Sequence, residues 1–332
     1  MEQIRRWRRA ARRGAVAEEA QRPETRRTRR RRPPIEVRRF AGPDVHREQL
    51  DHLRVAHLTD LHFGRVTPLR IQKMAVELTN AAKPDLIVIT GDFVCHSQAY
   101  LDQLGEVLSH LEAPTMGVLG NHDYWSGADG VLRALDRAGV EMLGNVNTTI
   151  TLRHQRLQVV GLDDAYTGHA DRRAAIKGLR ADLPTIALSH IAEEADALWD
   201  RGAPLVLSGH THAGQVTLAG LHELSIGRVA GHKYVHGLYG RRAPEPEEDG
   251  PRGAVYVGAG IGASVMPIRL GDRGRRELAL FELGAQVGDF DEHHDEQPPL
   301  PGREPSDKLK AKRAEMVRRK RARRERREGD GT

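Results

Sequence analysis

Five short polar clusters stand in order along the chain: Asp60-Leu61-His62, Gly91-Asp92, Gly120-Asn121-His122-Asp123, Ser189-His190 and Gly209-His210-Thr211-His212. They offer seven side chains with metal-binding atoms: Asp60, His62, Asp92, Asn121, His190, His210 and His212. Carboxylate, amide and imidazole donors in this number can hold two adjacent divalent cations. Two cations about 3.5–4 Å apart can clamp a phosphoryl group and lower the pKa of a water between them. The set therefore points to metal-assisted hydrolysis of a phosphate ester. Any one cluster is a weak signal; type, order and spacing together are a strong one.

Apolar runs explain how these residues could meet. Leu53 to Leu58 reads as a strand ending just before Asp60, and Leu86-Ile87-Val88-Ile89-Thr90 as one delivering Gly91-Asp92. Met116 to Leu119, Thr185 to Leu188 and Pro204 to Leu207 lead in the same way into the Asn121-His122, His190 and His210 clusters. Helical patterns separate several of these runs, at 68–82, 98–111, 128–138 and 192–201. Alternating strands and helices predict an α/β domain whose ligands gather beyond the carboxyl ends of the strands.

The ordered set D-x-H, GD, GNH[DE], a lone His and GHxH resembles the calcineurin-like metallophosphoesterase superfamily, over residues 53–283 with all five blocks intact. The resemblance implies a four-layer αββα sandwich. It also implies two divalent metal ions, Mn, Fe or Zn, with Asp60, His62 and His212 on the first, Asn121, His190 and His210 on the second, and the Asp92 carboxylate bridging them. His122 would donate the proton to the leaving oxygen, a role that suits an imidazole with an unperturbed pKa of about 6.5, while a metal-bridging hydroxide attacks phosphorus. Gly209-His210-Thr211-His212-Ala213-Gly214-Gln215, His236-Gly237-Leu238-Tyr239, the stretch Val255 to Gly262 and Met266-Pro267-Ile268-Arg269 are similar to a bacterial phosphodiesterase group, often membrane-attached or exported. Two places depart from that group. Arg275-Arg276-Glu277 replaces Arg-Pro-Glu, and Ile191-Ala192-Glu193-Glu194 stands where a proline and an aspartate usually follow the lone histidine.

Diester hydrolysis is thus the expected reaction. A phosphomonoesterase or pyrophosphatase acting on a nucleotide or lipid head group is the alternative, as is a non-catalytic scaffold that keeps its metals for structure. Specificity is expected to lie in loops such as 124–130 and 227–252. Asp123 could orient His122 or could be an N-cap or surface carboxylate. His232 and His236 could border the substrate or be ordinary loop histidines, and Arg269 could meet phosphate or pair with a carboxylate. Cys95 reads as a packed thiol, and His57, His154 and His169 as structural or solvated.

Charge divides the 332 residues into three parts: net +10 over 1–40, −6 over 41–284 and +2 over 285–332. This predicts a disordered basic tail at 1–40, a catalytic domain at 41–284, and a charged tail at 285–332 that is acidic and then basic, disordered or partly helical. Basic tails suit an anionic membrane surface, or less well nucleic acid, because Trp7 is the sole aromatic residue among the first 39. No apolar run of signal h-region length follows the paired arginines near the start, no segment approaches the length of a membrane span, and the single cysteine, Cys95, excludes an intrachain disulfide. The expected location is cytoplasmic, with room for contact at the membrane periphery.

Overall fold

In the computed structural model, which describes residues 33–214, 232–243, 253–263, 275–292 and 294–300, successive residues of the central strands serve two different apolar layers. Leu86 and Val88 of β3 (Leu86–Thr90) pack into one core, and Ile87 and Ile89 into another. In β8 (Thr185–Ser189), Ile186 and Leu188 share the first core while Ala187 faces a third. This period-two alternation buries a strand on both faces.

The other strands are β1 (Ile35–Ala41), β2 (Leu53–Leu58), β4 (Thr115–Val118), β5 (Val140–Met142), β6 (Val146–Leu152), β7 (Gln155–Leu162), β9 (Leu205–Ser208), β10 (Gly237–Gly240), β11 (Ala254–Val257) and β12 (Arg276–Leu283). They form two six-stranded sheets, ordered β1-β12-β2-β3-β4-β5 and β10-β11-β9-β8-β7-β6. The helices are α1 (Leu69–Ala81), α2 (Leu101–Leu108), α3 (Asn121–Ser126), α4 (Ala128–Arg137), α5 (Arg172–Ala175) and α6 (Ala195–Trp199). Ile71, Leu104, Val107 and Leu135 lay α1, α2 and α4 on the outer face of the first sheet. Ala175, Leu198 and Trp199 cover the second with α5 and α6. Val55, Val88, Leu157, Leu188 and Leu207 fill the space between the sheets. Helix, sheet, sheet, helix: the molecule is the α/β four-layer αββα sandwich that the motifs imply.

The five runs expected before the polar clusters are β2, β3, β4, β8 and β9. Within their sheets β2, β3 and β4 run parallel, as do β7, β8 and β9. Their carboxyl ends therefore emerge along one rim, where the clusters stand. Regular backbone bonding continues past the strands: Asp60 N–H donates to Gly91 O at 3.0 Å, His62 N–H to Asp92 O at 3.0 Å and Gly209 N–H to His190 O at 3.3 Å.

The folded body extends past both boundaries expected from charge. β1 occupies Ile35–Ala41, pairing in parallel with β12. Beyond residue 284, Ala41 N–H donates to Glu292 at 2.8 Å, and the buried guanidinium of Arg242 pairs with Glu292 at 2.6 Å and Glu296 at 2.8 Å. Gln297 bonds Leu238 O at 3.0 Å beside β10. The acids at 289–296 read as part of a charged tail because their partner, Arg242, lies some fifty residues earlier in the chain. Residues 1–32 and 301–332, and Arg269, lie outside the described residues. Among the described residues no helix is long and apolar enough to cross a membrane.

Candidate metal centre

Tight turns after the strands aim the polar side chains at one point. Asp60, His62, Asp92, His210 and His212 all adopt positive φ, between 43° and 73°. Non-glycine residues seldom take this conformation, which costs about 1–3 kcal/mol where it is strained. Its concentration after β2, β3 and β9 bends the chain back over the sheet edge at those three clusters. Two glycines make room. A Cβ at Gly209 would lie 1.9 Å from Thr59 Oγ1 and 2.4 Å from Asp60 Oδ2, and one at Gly120 would lie 2.3 Å from Asp92 Oδ1.

Asp60, His62, Asp92 and His212 form one group, with one candidate ligand atom from each lying within 4.8 Å of the others. His62 Nε2 is 2.9 Å from His212 Nε2 and 3.5 Å from Asp92 Oδ2, and His212 Nε2 is 3.4 Å from Asp60 Oδ1. A second group meets the other oxygen of the same carboxylate: His190 Nε2 lies 3.4 Å from Asp92 Oδ1. Asn121 Oδ1 is 3.2 Å from His190 Nε2 and 2.9 Å from His210 Nδ1. Asp92 thus stands between the two groups, and its side chain is almost wholly buried.

Neighbouring dipoles fix these rings and carboxylates. His190 Nδ1–H donates to Thr90 O across the sheets at 2.7 Å, leaving Nε2 for the cluster. Thr59 Oγ1–H and the His210 N–H hold Asp60 Oδ2 at 2.8 and 3.2 Å. His122 N–H holds Asp92 Oδ1 at 2.9 Å. Asp60 Oδ1 is buried with no hydrogen-bond donor among the described residues.

The electrostatics favour a cation here. Burial pushes the Asp60 carboxyl up to about 7, with the Asp92 charge adding to it. Burial would lower His190, but the adjoining Asp92 carboxylate overrides it and raises the imidazole to about 10. Burial would likewise raise Asp92, yet His190, His62 and His122 hold it well below the usual carboxylate range. Buried carboxylates, facing imidazole nitrogens and an oxygen lacking a donor are a donor set that nitrogen- and oxygen-liganded divalent metals fit.

His122 sits at the edge, its Nε2 3.8 Å from Asp92 Oδ2 and its ring 4.8 Å from that of His62. Burial lowers its pKa, against the pull of Asp92. Asp123 is neither a surface carboxylate nor in hydrogen bond with His122. It is fully buried, accepts from Gly120 N–H at 2.9 Å and Val94 N–H at 3.1 Å, and so closes the first turn of α3. His232 does border the centre, 5.4 Å from the His210 ring, and pairs with Glu193 at 3.0 Å.

His236 instead joins a buried network behind the centre. Glu277 receives His236 Nε2 at 3.1 Å, Arg38 Nε at 2.8 Å, Tyr256 O–H at 2.9 Å and Ala259 N–H at 2.7 Å. The Ala259 loop in turn bonds the first cluster, Ile261 N–H to Thr59 O at 3.1 Å and Gly262 N–H to Asp60 O at 2.6 Å. The role of Glu277 was missed in the sequence, though its place in Arg275-Arg276-Glu277 was a usable signal. Tyr166, 5.4 Å from His210 by ring centroids, carried none.

The sequence profile described as calcineurin-like phosphoesterase matches residues 53–214. Phosphodiesterase YaeI of Escherichia coli strain K12 is 31% identical over 238 residues, covering 69% of this chain and 82% of that protein. The metallophosphoesterase YkuE of Bacillus subtilis strain 168 is 28% identical over 239 residues, covering 70% of this chain and 79% of that one. Among solved structures, TT1561 of Thermus thermophilus aligns with 64% of this chain and 91% of its own at 15% identity, with a TM-score of 0.44.

Proposed function

The chain belongs to the calcineurin-like phosphoesterase family, and we propose that within it the protein is a phosphodiesterase. The family's members are metal-dependent phosphoester hydrolases with a dinuclear divalent centre, and the Asp/His cluster fits such a site. The observation that carries the reading is Asp92, whose two oxygens face two separate donor groups, His62 at 3.5 Å and His190 at 3.4 Å.

In this reading Asp60, His62 and His212 hold one cation, Asn121, His190 and His210 hold the other, and Asp92 serves both. Bound cations supply positive charge to the phosphoryl oxygens and an acidified water as nucleophile. The chain's own residues do the rest. Buried Asp60 and Asp92 supply the negative charge that retains the cations, and Thr59, Thr90 and the His122 backbone hold the ligands in place. The His122 imidazole stands at the rim of the cluster, half-buried and too far from Asp92 for a hydrogen bond, as a proton donor to the departing oxygen must. Preference for diesters draws support from the similarity to YaeI, which is named a phosphodiesterase. The catalytic unit in this proposal runs from β1 to the segment ending at Leu300. Peripheral contact at anionic membranes belongs to the same proposal, supported by the net charge of +10 over residues 1–40.

The test is hydrolysis of bis(p-nitrophenyl) phosphate against p-nitrophenyl phosphate by protein stripped of metal and reloaded with Mn²⁺, Zn²⁺ or Mg²⁺, with Asp92→Asn as control. Metal-dependent turnover that favours the diester and disappears in the variant is expected. A monoester preference would overturn the diesterase assignment. Absence of turnover with both metals bound would overturn the enzymatic reading.

A further inference from the structure

We propose that Trp125 and Tyr166 form a stacking platform for a nucleobase, so that the ester taken at the centre carries a nucleoside on one side; this rests on the phosphoesterase reading above. Among the described residues, the exposed large hydrophobic side chains are Val37, Val45, Trp125, Val146 and Tyr166. Only two of them are aromatic, and both stand at the centre. Trp125, 50% exposed, follows His122 by three positions on α3, with 4.9 Å between the ring centroids. Tyr166, 44% exposed, lies 5.4 Å from the ring of His210. The two rings meet edge to face, 6.0 Å apart at 76°, and so link the proposed proton donor with the second donor group.

The segments that carry both rings are tied down by hydrogen bonds. α3 is pinned at its start by the Asp123 carboxylate and at its end by Gln98 Nε2–H, which donates to Ser126 O at 2.9 Å. The loop carrying Tyr166 is folded around buried Asp164, which accepts from both the N–H and the hydroxyl of Thr167 at 2.6 Å. Tyr124 O–H bonds Asp163 at 2.6 Å and its ring stacks on His169 at 3.8 Å, which ties this loop to α3. Rings carried on segments tied in this way lose little conformational entropy on binding, and an indole and a phenol half-exposed to water gain by being covered.

The surroundings select the kind of group that covers them. The ring row runs from His96, parallel to Trp125 at 6.0 Å, through Tyr166 to His210 at 5.4 Å, so an imidazole stands beside each ring. A flat ligand with polar edges matches that border. Among the described residues the other exposed large hydrophobics, Val37 on β1, Val45 before β2 and Val146 on β6, are aliphatic, so the flat rings are confined to this place. A phosphate at the centre with a nucleoside attached therefore meets both kinds of contact at once.

The test uses the full, Mn²⁺-loaded chain and two non-hydrolysable probes, the 5′-methylenephosphonates of adenosine and of ribose, titrated by calorimetry. One stacked base contributes about 5- to 150-fold in affinity. The adenosine compound is expected to bind at least about tenfold more tightly than the ribose compound. Trp125→Ala and Tyr166→Ala should each bring that ratio to about threefold or less, and Trp125→Phe should keep most of it. Equal binding of the two probes, or a ratio unchanged in both alanine variants, overturns the platform. Hydrolysis of bis(p-nitrophenyl) phosphate by the same preparation separates the two readings. Turnover with equal probe binding sinks the platform alone, whereas a base preference lost in the variants, without any turnover, upholds the platform and sinks the hydrolase.

Discussion

Replacing His122 by alanine should damage proton transfer and leave the metal cluster standing. The geometry separates the two roles. The His122 imidazole is 3.8 Å from Asp92, too far for a hydrogen bond, whereas the residue's backbone N–H holds the same carboxylate at 2.9 Å. An alanine keeps the backbone bond, so cation affinity should change by less than about threefold. A positioned general acid is worth about 10²–10⁴ in rate, or ~3–5 kcal/mol of barrier. That full loss is expected only when the departing oxygen needs a proton. The assay is kcat/KM for wild type and His122→Ala over a series of diesters, from simple alkyl alcohols to p-nitrophenol, with metal content measured on the same samples. Alkyl leaving groups should show the loss of about 10²–10⁴, and the stable nitrophenolate about tenfold or less. Equal losses across the series would refute the donor role. Loss of metal would refute the separation of roles.

Three other perturbations probe the support around the centre. A Cβ at Gly209 would collide with Thr59 Oγ1 at 1.9 Å and Asp60 Oδ2 at 2.4 Å, so Gly209→Ala should weaken Mn²⁺ binding about 10–100-fold, read by calorimetry. Arg38 and Glu277 are buried with 2.8 Å between them, so Arg38→Met removes the guanidinium counter-charge of a buried carboxylate and should cost about 3–5 kcal/mol in urea unfolding, while adding Glu277→Gln should restore part of it. His46 is buried and accepts from Thr185 N–H, and burial pushes its imidazole down to about 4 from an unfolded value near 6.5. The unfolded chain then takes up the proton first, so stability is complete above pH 6.5 and falls by up to ~3 kcal/mol as pH drops to 4; His46→Gln should flatten that part of the stability curve.

The site was legible because its chemistry is local in sequence. Each cluster follows its own strand directly, so the apolar run and the polar end can be read together, and β2, β3, β4, β8 and β9 appear within a residue or so of where the runs predict them. The helices at 69–81 and 128–137 were equally plain from their apolar spacing. What escaped was set by partners far along the chain. β6 and β7 form an edge hairpin in which β6 is half-exposed and mostly polar, with threonines at 148, 149 and 151, so it lacks an apolar run. The acids at 292 and 296 looked like tail until Arg242 supplied their counter-charge.

The same distinction explains why the Asp/His cluster can be read from sequence and the aromatic wall beside it cannot. The cluster is built from a few chemical types, and five of its members sit in turns tight enough to take positive φ. Those two demands leave short motifs rich in Asp, His and Gly. A stacking wall requires only some flat ring at some height above the centre. Trp125 satisfies it from a helix and Tyr166 from a loop some forty residues later, with their ring centroids 6.0 Å apart. Any aromatic residue at many positions could meet that requirement, so no spacing rule marks it. Recognition in this fold is therefore free to change without disturbing the cluster, and the leaving-group series and the base-binding titration address physically separate parts of one opening.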